Sequence, residues 1–208
     1  MYVSPSCIDD YLLTYEKALL KALKSIVDAI PHRDLSIQWD ICQEVLIFED
    51  YFPYRPDDYK LKIFDQMARL GAQVPPGVDL GYHLCYGTPR DEHLVMPKDS
   101  AILVEIATGL ASQSQRSLNF LHMPVPRDRV DDAYYAPLAA LQLPAETELY
   151  LGLIHHQDHS GDSQRIAAAQ KVVPSFGIAS ECGWGRTDPE RVPGLIESHR
   201  LAADLMAT

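Results

Sequence analysis

Strand-like and helix-like segments alternate along nearly the whole of this 208-residue chain. Strand-like patterns occupy residues 35–40, 78–85, 118–122, 148–154 and 176–180. Apolar residues recur at helical spacing over residues 9–30, 57–71, 98–110, 130–141, 162–173 and 193–206. Because each connection between strands is long enough to hold a helix, the pattern predicts an α/β fold with a parallel sheet.

Five strands are too few for a complete (β/α)8 barrel, which takes eight strands and about 250 residues. The alternatives are a partial barrel, an open α/β sheet, or a barrel that takes its missing strands from elsewhere. We favour a partial (β/α)8 TIM-type barrel made of the C-terminal five or so βα units. Residues 1–208 are expected to form one catalytic barrel domain that lacks its N-terminal strands, because no repeat or Gly/Ser linker marks a second domain.

Polar side chains that could bind a metal ion or take part in catalysis follow the predicted strands. They are Asp40, His83 with Cys85, His122, His155 and Cys182. The carboxyl ends of parallel strands share one face of a sheet or barrel. We therefore expect these side chains to lie near one another.

Three of these residues suggest a metal site. His83 and Cys85 are two residues apart, and the period of a strand directs both side chains to one face. Cys182 follows the last predicted strand, and one imidazole with two thiolates suits zinc. The alternative is a buried cysteine and a hydrogen-bonded histidine in the core, and Cys7 and Cys42 are interpreted as structural.

The charge balance excludes one class of partner. The formal net charge is −11 and the isoelectric point is about 5.0, with no cluster of lysine or arginine to follow a phosphate backbone. We find no apolar run of about 18 residues and no signal peptide, so the expectation is a cytoplasmic protein that binds neither nucleic acid nor membrane. The four cysteines fit no short-spaced disulfide framework.

The motif His83-x-Cys85, followed late in the chain by Cys182-Gly183, resembles the C-terminal catalytic barrel of cobalamin-independent methionine synthase. That family belongs with the uroporphyrinogen decarboxylase-like barrels, and the likeness runs roughly from Leu35 to the end. The segment around Cys182 also resembles the zinc-dependent epoxyalkane:coenzyme M transferases. The resemblance implies a bound Zn²⁺ that activates a small thiol for methyl or alkyl transfer, as in a homocysteine S-methyltransferase of methionine biosynthesis.

The same resemblance implies the metal ligands His83, Cys85 and Cys182. The family's fourth ligand is a glutamate at the end of the strand that follows H-x-C. Strand order brings His122 to that place here, whereas Glu105 lies at a closer spacing but in a predicted helix. We expect His122 to be the fourth ligand, with Glu105 as the alternative.

Two further segments carry implied roles. Ile37-Gln-Trp-Asp40 resembles an I-Q-x-D segment whose acid binds the amino group of the thiol substrate, so Asp40 is expected to orient substrate, with Trp39 and Glu44 beside it. Asp40 could instead cap a following helix. Ile154-His155 resembles a D-I-H segment in which the histidine moves a proton, so His155 is the expected catalytic acid or base.

Other interpretations remain open at this point. The family's pteridine-stacking segments are not found here, so the alkyl donor, folate-type or other, is undetermined. One alternative is a metal-free decarboxylase-like barrel that handles a carboxylated ligand. Another is a non-catalytic barrel fragment whose unpaired strand edges lead to a homo-oligomer.

Overall fold

A computed structural model describes residues 4–53, 55–88 and 93–207. Its centre is a sheet of five parallel strands paired in chain order. The strands are β1 (Ser36–Ile41), β2 (Asp79–Leu84), β3 (Phe120–Pro124), β4 (Glu148–Ile154) and β5 (Gly177–Ser180). All five predicted strands are present, and the predicted α/β class is confirmed.

Helices precede the sheet, connect its strands and follow the last of them. They are α1 (Ile8–Ala29), α2 (Cys42–Phe48), α3 (Tyr59–Ala72), α4 (Ala101–Gln113), α5 (Asp132–Tyr135), α6 (His159–Gln170) and α7 (Val192–Met206). The short helix α2, directly after β1, was not predicted. The helix predicted over 130–141 is instead the single turn α5 followed by a 3-10 helix, Ala136–Ala140. Pro137 explains the difference, because proline lacks the N–H that an α-helix interior needs and clashes with the preceding turn.

The hydrophobic core lies on the helix-covered face of the sheet. Alternate strand residues are buried there, among them Leu80, Tyr82 and Leu84 of β2. Each such buried leucine contributes roughly 1.5–3 kcal/mol relative to exposure. This face packs the sheet against its helices. The side chains of Asp40, His83 and His122 lie on the opposite face.

Two aromatic rings cover glycines on the opposite face. A Cβ atom added at Gly81 would lie 2.2 Å from the ring of Phe120, and one added at Gly177 would lie 2.4 Å from the ring of Tyr150. Glycine is needed at both positions because the neighbouring strand places its ring directly on the backbone. These contacts pack the face of the sheet opposite the hydrophobic core.

Five parallel strands in sequential order, joined by helices, are arranged as in part of a (β/α)8 barrel. The predicted partial TIM-type barrel is thus confirmed. Among the described residues, β1 and β5 each pair with one neighbouring strand and leave the other side unpaired. None of the described helices is both long and apolar enough to cross a membrane.

Candidate functional site

The carboxyl ends of the parallel strands meet along one edge of the sheet. Asp40 of β1 is paired with His83 of β2, and His83 is paired with His122 of β3. The residue that precedes His155 is paired with Ser180 at the end of β5. The polar residues that follow different strands in the sequence are therefore neighbours.

His83, Cys85 and Cys182 form a compact group of metal-binding side chains. Their ligand atoms all lie within 4.8 Å of one another, and the two sulfurs are 3.8 Å apart. His83 and Cys85 are buried and Cys182 is half-buried. Two thiolates bound at ~2.3 Å to one tetrahedral zinc ion stand about 3.8 Å apart, so the sulfur spacing fits zinc.

The ring of His83 provides a second test of this fit. Its Nε2 atom is buried and makes no conventional hydrogen bond, although the Cys182 thiol lies beside the ring. A buried polar atom without a partner costs about 1–3 kcal/mol. A metal ion held jointly with the two sulfurs would remove that cost.

The thiols keep their protons when no cation is near. The hydrogen bond with Cys85, followed by burial, raises the pKa of Cys182 to about 12. The hydrogen bond with Cys182 lowers the pKa of Cys85, but the hydrogen bond with Cys42 and burial outweigh it and raise that pKa to about 12. Neighbouring thiols in a partly dry site cannot all ionise unless a positive charge joins them.

Cys42, which was expected to be structural, is a neighbour of this group. The pairing of Ile41 with Leu84 places Cys42 directly beside Cys85, and the hydrogen bond with Cys85 lowers the pKa of Cys42. The signal was present in the sequence, because Cys42 also follows a predicted strand.

The two candidates for a fourth ligand lie in different surroundings. His122 is not part of the three-residue group; its Nδ1 atom is 2.5 Å from Nδ1 of His83, and its Nε2 atom is 3.0 Å from the carbonyl oxygen of Ser180. Burial, and then the neighbouring His83, lower the pKa of His122 to about 3. Glu105 is exposed on α4, where it forms an ion pair with Lys60 of α3.

A cavity of about 490 Å³ opens beside the metal-binding group. Its lining includes Cys182, Glu181, His155, His93, Trp184 and Arg127. The indole N–H of Trp184 donates to the Ser180 hydroxyl at 2.9 Å, which fixes the ring as one wall. The cavity can hold a small molecule within reach of Cys182.

Glu181 lies between two histidines on this cavity. One carboxylate oxygen is 2.6 Å from Nε2 of His93, and the other is 3.9 Å from Nδ1 of His155. Burial raises the pKa of Glu181, but the adjacent imidazole of His93 outweighs it and holds that pKa below its usual range. Neither Glu181 nor His93 was predicted to have a role, and the loop position of His93 gave no signal.

The ring of His155 has a defined orientation. Its Nε2–H donates to the carbonyl oxygen of Val125 at 3.0 Å, so Nδ1 carries the free lone pair. Burial lowers the pKa of His155 to about 4. The ring is therefore neutral near pH 7 and can accept a proton at Nδ1.

A buried ion pair holds the backbone next to His155. The carboxylate of Asp162 accepts from the backbone N–H of His155 at 3.0 Å and from Arg165 at 2.5 Å. The same arginine donates to the carbonyl oxygen of Leu153 at 2.7 Å. These contacts fix the end of β4, which carries the histidine.

The residues expected to bind substrate lie on both faces of β1. Asp40 is exposed in register with His83, and α2 has no side-chain cap, so Asp40 does not cap that helix. Trp39 points to the opposite face and packs against the hydrophobic core. Glu44 is half-buried on α2, and burial, followed by the charge of Asp40, raises its pKa. Only Asp40 shares a sheet face with the metal-binding group.

No protein-family model matches the chain, and no curated protein matches it. Two solved structures do. A candidate vitamin-B12-independent methionine synthase from Listeria monocytogenes has a TM-score of 0.62 and 18% identity, over 96% of this chain and 57% of that protein. A B12-independent methionine synthase from Shewanella sp. W3-18-1, in complex with selenomethionine, has a TM-score of 0.60 and 14% identity.

The chain shares their fold. It covers 53% of the Shewanella protein with 93% of its own residues, so it spans just over half the length of each structure.

Proposed function

We propose that this chain is a zinc-dependent transferase that passes a methyl or alkyl group to a small thiol, in the manner of cobalamin-independent methionine synthase. The observation that carries the proposal is the group of His83, Cys85 and Cys182 at the strand ends, with a sulfur spacing suited to zinc. The shared fold with two proteins named as methionine synthases supports it.

His83, Cys85 and Cys182 would hold the zinc ion. Bound zinc deprotonates a coordinated thiol and so makes it a nucleophile at neutral pH. Cys182 lines the cavity, so a thiol substrate placed there would reach the site directly. These three residues would supply three protein ligands, which would leave a fourth position for the substrate, as in other catalytic zinc sites.

Two side chains of this chain would orient the substrate and move protons. Asp40, an exposed carboxylate beside His83, can bind a substrate ammonium group and so fix the position of its sulfur. His155 can accept a proton at Nδ1 and deliver it to a leaving group, while Glu181 stabilises the charged ring.

The alkyl donor remains unassigned within this proposal. The cavity suits a small thiol and part of a donor. The thiols must stay reduced to bind metal, and a reducing compartment such as the cytoplasm would keep them so. Within the described part of the chain, the outer edges of β1 and β5 have no strand partner, which supports self-association into a homo-oligomer.

Metal content tests the proposal. Protein purified without chelators is expected to contain about one zinc per chain, and Cys182→Ser is expected to lose it. Cys7→Ser is the matched control, because Cys7 is exposed and outside the site. Near-zero zinc in the wild-type protein would contradict the proposal and favour a metal-free barrel.

A further inference from the structure

We propose that His122 is a positioning residue for the zinc ligand His83 and not itself a fourth ligand. It would hold the His83 ring so that Nε2 offers its lone pair to the ion shared with Cys85 and Cys182. This role rests on the zinc site proposed above, but its hydrogen-bond geometry belongs to the metal-free protein.

The carbonyl of Ser180 fixes the tautomer of His122. The oxygen lies 3.0 Å from Nε2 of His122, and a carbonyl oxygen can only accept a hydrogen bond. The hydrogen of the His122 ring must therefore be on Nε2. Its Nδ1 atom is left with a lone pair.

The tautomer of His83 then follows. The two Nδ1 atoms are 2.5 Å apart, so a single hydrogen must lie between them. Because His122 offers a lone pair there, His83 donates from Nδ1. In the neutral ring the Nε2 atom of His83 is consequently unprotonated, and it is the buried atom that makes no conventional hydrogen bond.

The alternative arrangements fit less well. If both Nδ1 atoms bound one tetrahedral zinc ion at 2.0–2.1 Å, they would stand about 3.3 Å apart, whereas the 2.5 Å between them is much shorter and leaves room only for one shared hydrogen. A doubly protonated His122 would put a cation in a buried place without a carboxylate partner. In the chain of hydrogen bonds from His83 through His122 to Ser180, called the relay below, the ring N–H of each histidine has an acceptor.

This arrangement links both halves of the metal site. Ser180 accepts from His122 and also donates from its hydroxyl to the carbonyl oxygen of Cys182 at 2.9 Å. The end of β5 therefore holds the ligand His83 through His122, and it also holds the backbone of the ligand Cys182. With three protein ligands, a thiol substrate can bind without displacing any of them.

Nuclear magnetic resonance of metal-free protein with 15N-labelled histidine tests the relay directly. We expect His122 as the Nε2–H tautomer and His83 as the Nδ1–H tautomer. Assignment of the two signals uses His122→Asn and His83→Asn. A hydrogen on Nδ1 of His122 would overturn the proposal, whether or not the protein binds zinc.

Zinc affinity, measured by competition with a chelator, tests the positioning role. Loss of such an outer partner typically weakens metal binding about 10–100-fold, and we expect this for His122→Leu with one zinc per chain kept at saturation. His122→Asn retains an acceptor near the Nδ1 position and should recover part of the loss. His32→Leu, which removes an exposed imidazole, is the control.

X-ray absorption of the zinc-loaded proteins distinguishes a partner from a ligand. Wild type and His122→Leu should both show two sulfurs and one histidine ring. Two rings in wild type and one in the variant would make His122 a ligand, and an unchanged affinity would remove its positioning role. Absence of zinc from wild type would instead defeat the proposed function, while the tautomer measurement would still decide the relay.

Discussion

At the scale of single residues, protonation controls the candidate metal site. The sulfurs of Cys85 and Cys182 are 3.8 Å apart, and the pKa of each thiol is raised to about 12. Zinc binds thiolates, so both protons must leave when the ion arrives. Below their pKa the thiols hold these protons, and acid therefore competes with the metal.

We expect the zinc affinity to rise by about 100-fold per pH unit between pH 6 and 8, because about two protons are released for each ion bound. Chelator competition at several pH values measures the slope. Cys7→Ser should give the wild-type slope, since Cys7 lies outside the site. An affinity that does not change with pH would mean that the two thiols are not the ligands.

We expect the His155 ring to accelerate transfer from alkyl donors whose leaving group must take up a proton. His155→Gln retains a donor for Val125 but removes the Nδ1 lone pair. The transfer rate with an amine-type donor should fall about 10²–10⁴-fold, whereas the rate with methyl iodide, whose iodide leaves unprotonated, should change little. Single-turnover rates at constant zinc content measure both. Equal losses with both donors would assign His155 to another role, and His159→Gln on the exposed start of α6 is the control.

At the scale of elements, the ends of strands could be predicted better than the connecting helices or the orientation of side chains. The strand over 148–154 matches β4 at both ends because its apolar residues are bounded by polar ones. The prediction of one helix over 130–141 was wrong, because Pro137 interrupts the α-helix that the apolar periodicity indicated. The relay through His122 could not be predicted, because strand order places the residue but not the direction of its ring.

The end of β4 depends on an ion pair that the sequence pattern did not indicate. Arg165 is fully buried, bonded to Asp162 and to the backbone of Leu153. Removing one partner of such a pair typically costs 3–5 kcal/mol because the other charge stays buried. The pair therefore supports the position of His155. Breaking it would strongly lower the stability of the fold.

Arg165→Met is expected to lower the free energy of unfolding by about 3–5 kcal/mol. Urea unfolding followed by circular dichroism measures the loss. Arg200→Met is the matched control, because Arg200 pairs with Glu197 and Asp204 on the exposed side of α7, where water screens the charges and the loss should be far smaller. Similar values for the two variants would show that burial of the pair contributes little.

At the scale of the whole molecule, the described sheet leaves one side of β1 and one side of β5 without a strand partner. An unpaired edge exposes backbone donors and acceptors that can pair with another chain. The exposed residues Ser36, Gln38 and Asp40 lie on one face of β1, and only one of them is charged. This edge therefore has little electrostatic protection against association.

We expect the chain to self-associate through the β1 edge, and Gln38→Lys to weaken that association at least about tenfold, since a lysine on an edge strand opposes strand pairing. Sedimentation velocity over a range of protein concentrations measures the dissociation constant. Gln43→Lys makes the same change at an exposed position of α2, outside the strand, and should leave the constant unchanged. A chain that stays monomeric at every concentration would show that the edge is protected by some other means. Equal weakening by both variants would indicate that net charge, and not strand pairing, governs the association.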